Sequence, residues 1–129
     1  MEHMERELTL DRFGNGTGML TPWGRAQATT MCAPGLLQVE TAGHGGFLLS
    51  RQFAEENLSE AGRKRGMEFN AWLAYEEDSD ANIVIYELGH LLGGAYANVG
   101  REELRQSLES FLPGYLAEQE GAAGEIPTP

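Results

Sequence analysis

The stretch QATTMCAPGLLQVET, residues 27–41, decides the fold of this chain. Two runs of strand-forming residues flank Pro34-Gly35, and this dipeptide is typical of a tight turn. Because side chains alternate between the two faces of a strand, the second run places Leu37 and Val39 on one face. The stretch therefore predicts a β-hairpin.

Segments that follow the hairpin add a strand and two helices. Residues 47–49 predict a short return strand, and Ser50 is suited to cap a helix over residues 51–58. Residues 101–112 predict a second helix, because one apolar stripe runs along them. The stripe consists of Leu104, Leu108, Phe111 and Leu112.

Residues 79–92 are open to two interpretations. Acidic residues and Ser79 precede an apolar segment, as is usual where a helix begins, which predicts a helix over about 79–92. The continuous apolar run from Ile83 to Tyr86 is equally typical of a central strand, so helix versus strand at 83–88 stays open. The chain is expected to form an α+β fold, in which a small antiparallel sheet of about three strands packs against two to four helices.

Composition divides the chain into three parts. Residues 1–20 are polar and contain a glycine cluster at 14–18, which predicts a flexible lead-in. Residues 21–116 predict a single globular domain. Residues 117–129 predict a disordered tail, because Gly, Ala, Glu and Pro dominate there. Within the domain, residues 21–24 predict the start of a helix or a turn. Residues 59–67 predict an exposed connection with basic side chains.

Other features of the sequence bear on location and cofactors. No apolar run approaches the roughly 20 residues that span a bilayer, and the first residues lack the apolar segment of a secretory signal. Cys32 is the single cysteine, which excludes an intramolecular disulfide and predicts a cytoplasmic protein. Glu87 and His90 have the Glu-x-x-His spacing of carboxylate-bridged iron sites, but such sites need two copies. No metal and no cofactor are expected.

The charge of the chain is strongly asymmetric. Of the net charge of −11, nearly all lies in residues 68–129, which hold twelve acidic residues against two arginines. A field of this sign attracts basic proteins and repels nucleic acid and anionic membranes. The sequence therefore predicts a basic protein as partner, with no direct nucleic-acid or membrane contact.

The predicted partner-binding surface is a set of carboxylates in this acidic half. Carboxylates on a helix and a loop can match the roughly 7 Å repeat of backbone phosphates. They can equally serve as ordinary helix N-terminal charge and as a solubilising surface. The set comprises Glu76, Glu77, Asp78, Asp80, Glu102, Glu103 and Glu109.

An alternative site is centred on His44, which lies in a glycine-rich loop. The loop could hold the imidazole over a cleft for acid–base chemistry with Tyr75 or an acidic partner. It could also be a tight structural turn, with His44 bonded to a backbone carbonyl. A pair between Cys32 and His44 is a further possibility, without a fixed spacing to support it.

Three blocks of sequence resemble a small bacterial and phage domain of unknown function. They are TPWGRAQ at residues 21–27, TAGHGG at 41–46 and YEED at 75–78, in this order. Such domains occur in mobile elements, where small acidic proteins are often inhibitors of host defence, including anti-CRISPR proteins. The resemblance thus implies a mobile-element protein, although it assigns no activity to any residue.

Three functional hypotheses follow from these observations. The first is a non-enzymatic inhibitor that blocks nucleic-acid binding by a CRISPR-Cas complex, in which carboxylates occupy Lys and Arg sites that otherwise hold phosphates. The second is a small enzyme that uses His44. The third is a passive structural or interaction module within a larger assembly.

Overall fold

The computed structural model describes residues 19–93, residue 96 and residues 99–125. Their strands form a two-stranded ribbon and a five-stranded sheet. The ribbon pairs β1 (Leu20–Thr21) with β2 (Gly24–Arg25). The sheet contains β3 (Ala28–Ala33), β4 (Leu36–Glu40), β5 (Gly45–Ser50), β6 (Met67–Phe69) and β7 (Trp72–Glu76).

The five-stranded sheet is antiparallel throughout, with the order β3-β4-β5-β7-β6. The predicted hairpin is the pair β3–β4, and its turn is at Pro34-Gly35. Gly35 has a φ of +92°, a left-handed conformation that glycine adopts without a Cβ penalty. The predicted hairpin and return strand are therefore confirmed.

Helices cover one face of the sheet. They are α1 (Arg51–Asn57), α2 (Glu60–Arg63), α3 (Ala81–Leu88), α4 (Arg101–Phe111) and α5 (Tyr115–Glu125), with a 3-10 turn at Gly89–Leu91. The Ser50 hydroxyl caps α1 by accepting from Phe53 N at 3.1 Å, as the sequence predicts. Residues 83–88, for which the sequence left helix and strand open, lie in helix α3. The α+β class is confirmed.

The sheet separates two apolar clusters. On the helix face, Phe47, Leu49 and Tyr75 pack with residues of α3, α4 and α5. On the other face, Leu37, Val39 and Leu48 pack with residues of the β1–β2 ribbon and its flanks. The central strands are thus buried on both faces, and the loops at the ends of the sheet are the parts of these strands that remain accessible.

Several expectations about the elements were wrong. The sheet has five strands rather than about three, because β7 pairs with β5 and β6 pairs with β7. Residues 60–63 form α2 within the expected basic connection, and Gly62 is buried there. Of the helix start or turn expected at residues 21–24, the structure has the turn, which joins the strands of the ribbon and in which Thr21 Oγ1 accepts from Trp23 N at 3.1 Å.

The C-terminal segment also differs from expectation. A disordered tail was predicted from residue 117, yet α5 extends to Glu125. Tyr115 and Leu116 are buried in the main core and so hold the helix against the domain. The predicted flexible lead-in covers residues 1–20, of which residues 1–18 lie outside the described residues. The structure describes Met19 and Leu20, and Met19 is buried. Among the described helices, none has the length and apolar character required to cross a bilayer.

Candidate functional site

The three sequence blocks meet at one corner of the sheet. Gly46 pairs with Glu76 across β5 and β7, and Glu77 N donates to Gly45 O at 2.9 Å. On the other face the Trp23 ring lies against Gly46, so close that a Cβ there would be 2.7 Å from the ring. The ribbon, the β4–β5 loop and the turn after β7 therefore pack together at this corner.

The loop that carries His44 is a tight turn closed by Thr41. The Thr41 hydroxyl accepts from His44 N at 3.1 Å and donates to His44 O at 2.6 Å. The imidazole points outward, with 61% of its side chain exposed, and its Nδ1 lies 3.7 Å from Glu76 Oε2. His44 thus forms a solvated pair with an acidic neighbour.

The acidic turn after β7 is held in a defined conformation. Asp78 has a φ of +70°, which Asp tolerates better than most residues with a Cβ. Asp80 Oδ1 accepts from Glu76 N at 2.7 Å and from Ser79 Oγ at 3.2 Å. Burial raises the pKa of Asp80 above its ordinary value of 3.8, although these hydrogen bonds act in the opposite direction. Asp80 is therefore a structural residue of the turn.

An open groove of about 900 Å³ lies beside this turn. It runs between the β4–β5 loop, the residues that lead into α3 and the C-terminal half of α4. Glu40, Glu77 and Asp78 line it, and the described lining residues include no Lys or Arg. We call this feature the acidic groove.

Aromatic side chains also line the acidic groove. Phe111 is one of them and has 62% of its surface exposed, although the sequence placed this residue in the apolar stripe of its helix. Only Leu104 and Leu108 of that stripe are buried. Tyr96 also lines the groove, stacks edge-on against Phe47 at 5.8 Å and accepts from Gln38 Nε2 at 3.5 Å. Burial raises the pKa of Tyr96, and the charges of Glu77 and Glu40 add to this effect.

Several carboxylates outside the acidic groove have cationic partners. Glu118 pairs with Lys64 and with Arg65 Nη1 at 2.6 Å. Glu120 pairs with Arg105, and Glu68 pairs with Arg51 at 3.3 Å. Within the described part of the chain, no ion pair to Lys or Arg involves Glu40, Glu77 or Asp78. Among the described residues, the three carboxylates of the acidic groove therefore lack the cationic partners that Glu68, Glu118 and Glu120 have, a property they share with Glu102, Glu103 and Glu109 on α4.

The predicted carboxylates do not form a single cluster. Glu77 and Asp78 line the acidic groove, and Glu76 lies at its edge beside His44. Glu102 and Glu109 line a separate depression on α4 together with Arg105. Glu102 and Glu103 occupy the first turn of α4, where negative charge stabilises the exposed N–H groups of the helix. Glu40, which completes the groove, was absent from the predicted set because it is distant in sequence.

The structure does not bring the other predicted catalytic residues to His44. Tyr75 is fully buried, and its hydroxyl donates to Gly62 O at 2.8 Å on the helix face of the sheet. Burial raises the pKa of Tyr75, which disfavours ionisation. Cys32 is half-buried and absent from the residues that line the groove with His44, and burial also raises its pKa.

Glu87 has a structural contact rather than a metal-ligand arrangement. Its carboxylate accepts from Ser59 N at 2.8 Å, from Ser59 Oγ at 2.6 Å and from the Tyr115 hydroxyl. These bonds join α3 to the start of α2 and to the start of α5. No cluster of three or more His, Cys, Asp or Glu side chains suited to a metal ion occurs within the described ranges.

Comparison with known proteins identifies the family. The model of a domain of unknown function, DUF7007, matches residues 16–125 and so covers all three sequence blocks. The chain belongs to the DUF7007 family. Searches of curated proteins and of solved structures found no match. The expectation of a domain of unknown function is confirmed.

Proposed function

We propose that this protein is a non-enzymatic, cytoplasmic inhibitor from a mobile element. It binds a basic surface of a host CRISPR-Cas complex and thereby blocks nucleic-acid binding. The single observation that carries this proposal is the acidic groove, in which three carboxylates meet without a Lys or Arg among the described lining residues. The host-defence setting rests on the resemblance to small domains of bacteria and phages.

The proposed contact surface is smaller than the set predicted from sequence. We assign Glu76, Glu77 and Asp78 to it and add Glu40, because Glu40 lines the same groove as Glu77 and Asp78. Asp80 supports this surface by fixing the turn through Glu76 N. Glu102 and Glu109 are outside it, because they line a different depression.

The mechanism is competition for cationic side chains. A channel that binds nucleic acid presents Lys and Arg to phosphates, and carboxylates at similar spacing can occupy the same side chains. The charge of −11 attracts such a channel over a distance, which increases the association rate at low ionic strength. Inhibition by this route requires a stoichiometric complex and no turnover.

A DNA-binding assay with purified CRISPR-Cas complexes tests the proposal. Each complex is incubated with the protein, and its affinity for target DNA is then measured by mobility shift. We expect at least one complex to lose DNA binding at about one inhibitor per complex. The proposal fails if none of the complexes is affected, or if inhibition persists far below equimolar amounts.

A pair of charge-matched variants assigns the effect to the acidic groove. E77Q/D78N removes two groove carboxylates, and Asn preserves the left-handed conformation at position 78. E102Q/E109Q removes the same charge from the separate depression on α4. The first variant should weaken inhibition at least about tenfold and the second by less than about twofold.

The contact between His44 and Glu76 favours acid–base catalysis as a second candidate function. The carboxylate lies 3.7 Å from Nδ1, which is beyond hydrogen-bond distance but close enough for electrostatic attraction to a protonated imidazole. H44A separates the two functions, because an inhibitor by occlusion should survive the change. An enzyme dependent on this imidazole should lose about a hundredfold or more in rate.

A further inference from the structure

We propose that the acidic groove is an anchor site for an arginine side chain of the partner protein. The inference rests on the proposed function and adds to it the chemistry of the group that is bound. It depends on the presence of Phe111 in the same groove as Glu40, Glu77 and Asp78.

Phe111 provides an exposed aromatic ring in the acidic groove. It is the last residue of α4, and 62% of its surface is exposed although the same helix buries Leu104 and Leu108. Its ring shares the groove with Ser107 of its own helix and with Ile85 of α3. An exposed aromatic ring inside a concave surface offers a flat apolar face to an incoming group.

Three carboxylates provide negative charge in the same groove. Glu40 comes from the end of β4, whereas Glu77 and Asp78 come from the turn after β7, so two separate segments provide the charge. Both Glu40 and Glu77 act electrostatically on Tyr96, which lines the same groove. A ligand in the groove therefore contacts negative charge and aromatic rings together.

This combination distinguishes arginine from lysine. A guanidinium is planar, stacks on aromatic faces and can bind a carboxylate through two parallel N–H groups. A lysine ammonium is a compact and strongly hydrated charge. It is attracted to the carboxylates as an arginine is, but it interacts less favourably with the aromatic ring. The groove should accordingly prefer arginine at equal charge, and arginine is common at the centres of protein interfaces.

The test uses short blocked Gly-Ser peptides as probes. One peptide carries several arginines, and its partner carries the same number of lysines at the same positions. Affinities are measured by calorimetry at low salt with the full chain. We expect the arginine peptide to bind about fivefold more tightly than the lysine peptide, as the added stacking contribution implies.

Three variants attribute this preference to the groove. F111L keeps an apolar side chain but removes the ring, so the arginine peptide should fall to about the affinity of the lysine peptide. E77Q/D78N should weaken both peptides. L20A alters an apolar residue that is 54% exposed and outside the groove, and it should leave both affinities within about twofold. Circular dichroism checks that each variant is folded.

The outcomes separate this inference from the proposed function. Equal affinities for the two peptides, or a preference that F111L leaves unchanged, overturns the arginine anchor but leaves an acidic binding groove intact. Binding that E77Q/D78N does not weaken also overturns it. Conversely, arginine-selective binding without inhibition of any CRISPR-Cas complex supports the anchor and contradicts the proposed inhibitor.

Discussion

At the residue scale, the close packing at the corner of the sheet requires a glycine at position 46. A Cβ at this position would lie 2.1 Å from Tyr75 O and 2.7 Å from the Trp23 ring. Neither neighbour can move freely, because Tyr75 is in a central strand and Trp23 packs against the second apolar cluster. Gly46 belongs to TAGHGG, which the sequence suggested as a loop around a functional histidine, and it therefore also has a packing role.

We predict that G46A destabilises the protein by about 3 kcal/mol, because the added methyl group overpacks the site. The matched control is G43A in the same loop, since nothing lies within 4 Å of a Cβ there and its φ is not left-handed. It should change the free energy of unfolding by less than about 0.5 kcal/mol. Urea denaturation measures both, and equal effects would contradict the packing role of Gly46.

Asp80 gives a prediction about pH. Burial raises its pKa in the folded state above 3.8, so folding favours the protonated form. The contribution of Asp80 to stability is consequently highest at low pH and declines as the pH rises from about 3.8 through the raised pKa. D80N keeps an oxygen that can accept from Glu76 N, and it removes the charge.

The difference between the variant and the wild type isolates Asp80 together with its electrostatic interaction with Glu76, since the carboxylates that do not interact with Asp80 titrate equally in both proteins. We expect D80N to be slightly more stable than the wild type near neutral pH, with a difference that disappears toward acidic pH. Unfolding curves collected between about pH 4 and pH 7 measure the difference. A variant that is less stable at neutral pH, by an amount independent of pH, would contradict the assignment.

At the element scale, Glu87 joins three helices through one carboxylate. It accepts two hydrogen bonds from Ser59, at the start of α2, and one from the buried Tyr115, at the start of α5. We predict that E87A costs about 3 kcal/mol, because it leaves these donors without an acceptor. The exposed control E55A in α1 should cost less than about 0.5 kcal/mol. Thermal and urea unfolding measure both variants, and similar values would show that the contacts of Glu87 contribute little.

The elements also show which patterns in the sequence were informative. The hairpin at 28–40 and the helices at 51–57 and 101–111 were predictable, because turn residues, a serine cap and an apolar stripe mark them locally. Strand β7 was missed since four of its five residues are buried, so no alternation marks it. Helix α5 was missed because Tyr115 and Glu118 bind partners distant in sequence.

At the scale of the whole molecule, the sequence predicts the amount of charge but not its distribution. Twelve acidic residues in the second half are evident from counting. Which of them remain uncompensated depends on tertiary contacts, such as those of Glu118 with Lys64 and Arg65. The contribution of Glu40 from the first half, and the exposure of Phe111, likewise follow only from the assembled fold.

This distribution leads to a prediction about salt. If the acidic groove is the recognition surface, complex formation with a basic partner should weaken steeply with ionic strength, because the groove charges are exposed to screening. We expect a decrease of about tenfold or more in affinity between about 50 and 500 mM NaCl. Titration calorimetry with the inhibited complex measures it. Affinity that is independent of salt would indicate an apolar interface instead.

The most direct test of the central claim is to map where a basic ligand binds. Amide chemical shifts of the labelled protein are recorded by NMR while hexalysine is added at low salt. The account predicts perturbations confined to the residues that line the acidic groove, namely residues 38–47 together with Glu77, Asp78, Ala81, Asn82, Ile85, Tyr96, Ser107 and Phe111. Perturbations centred on Glu102 and Glu109, or distributed evenly over the acidic residues, would contradict it.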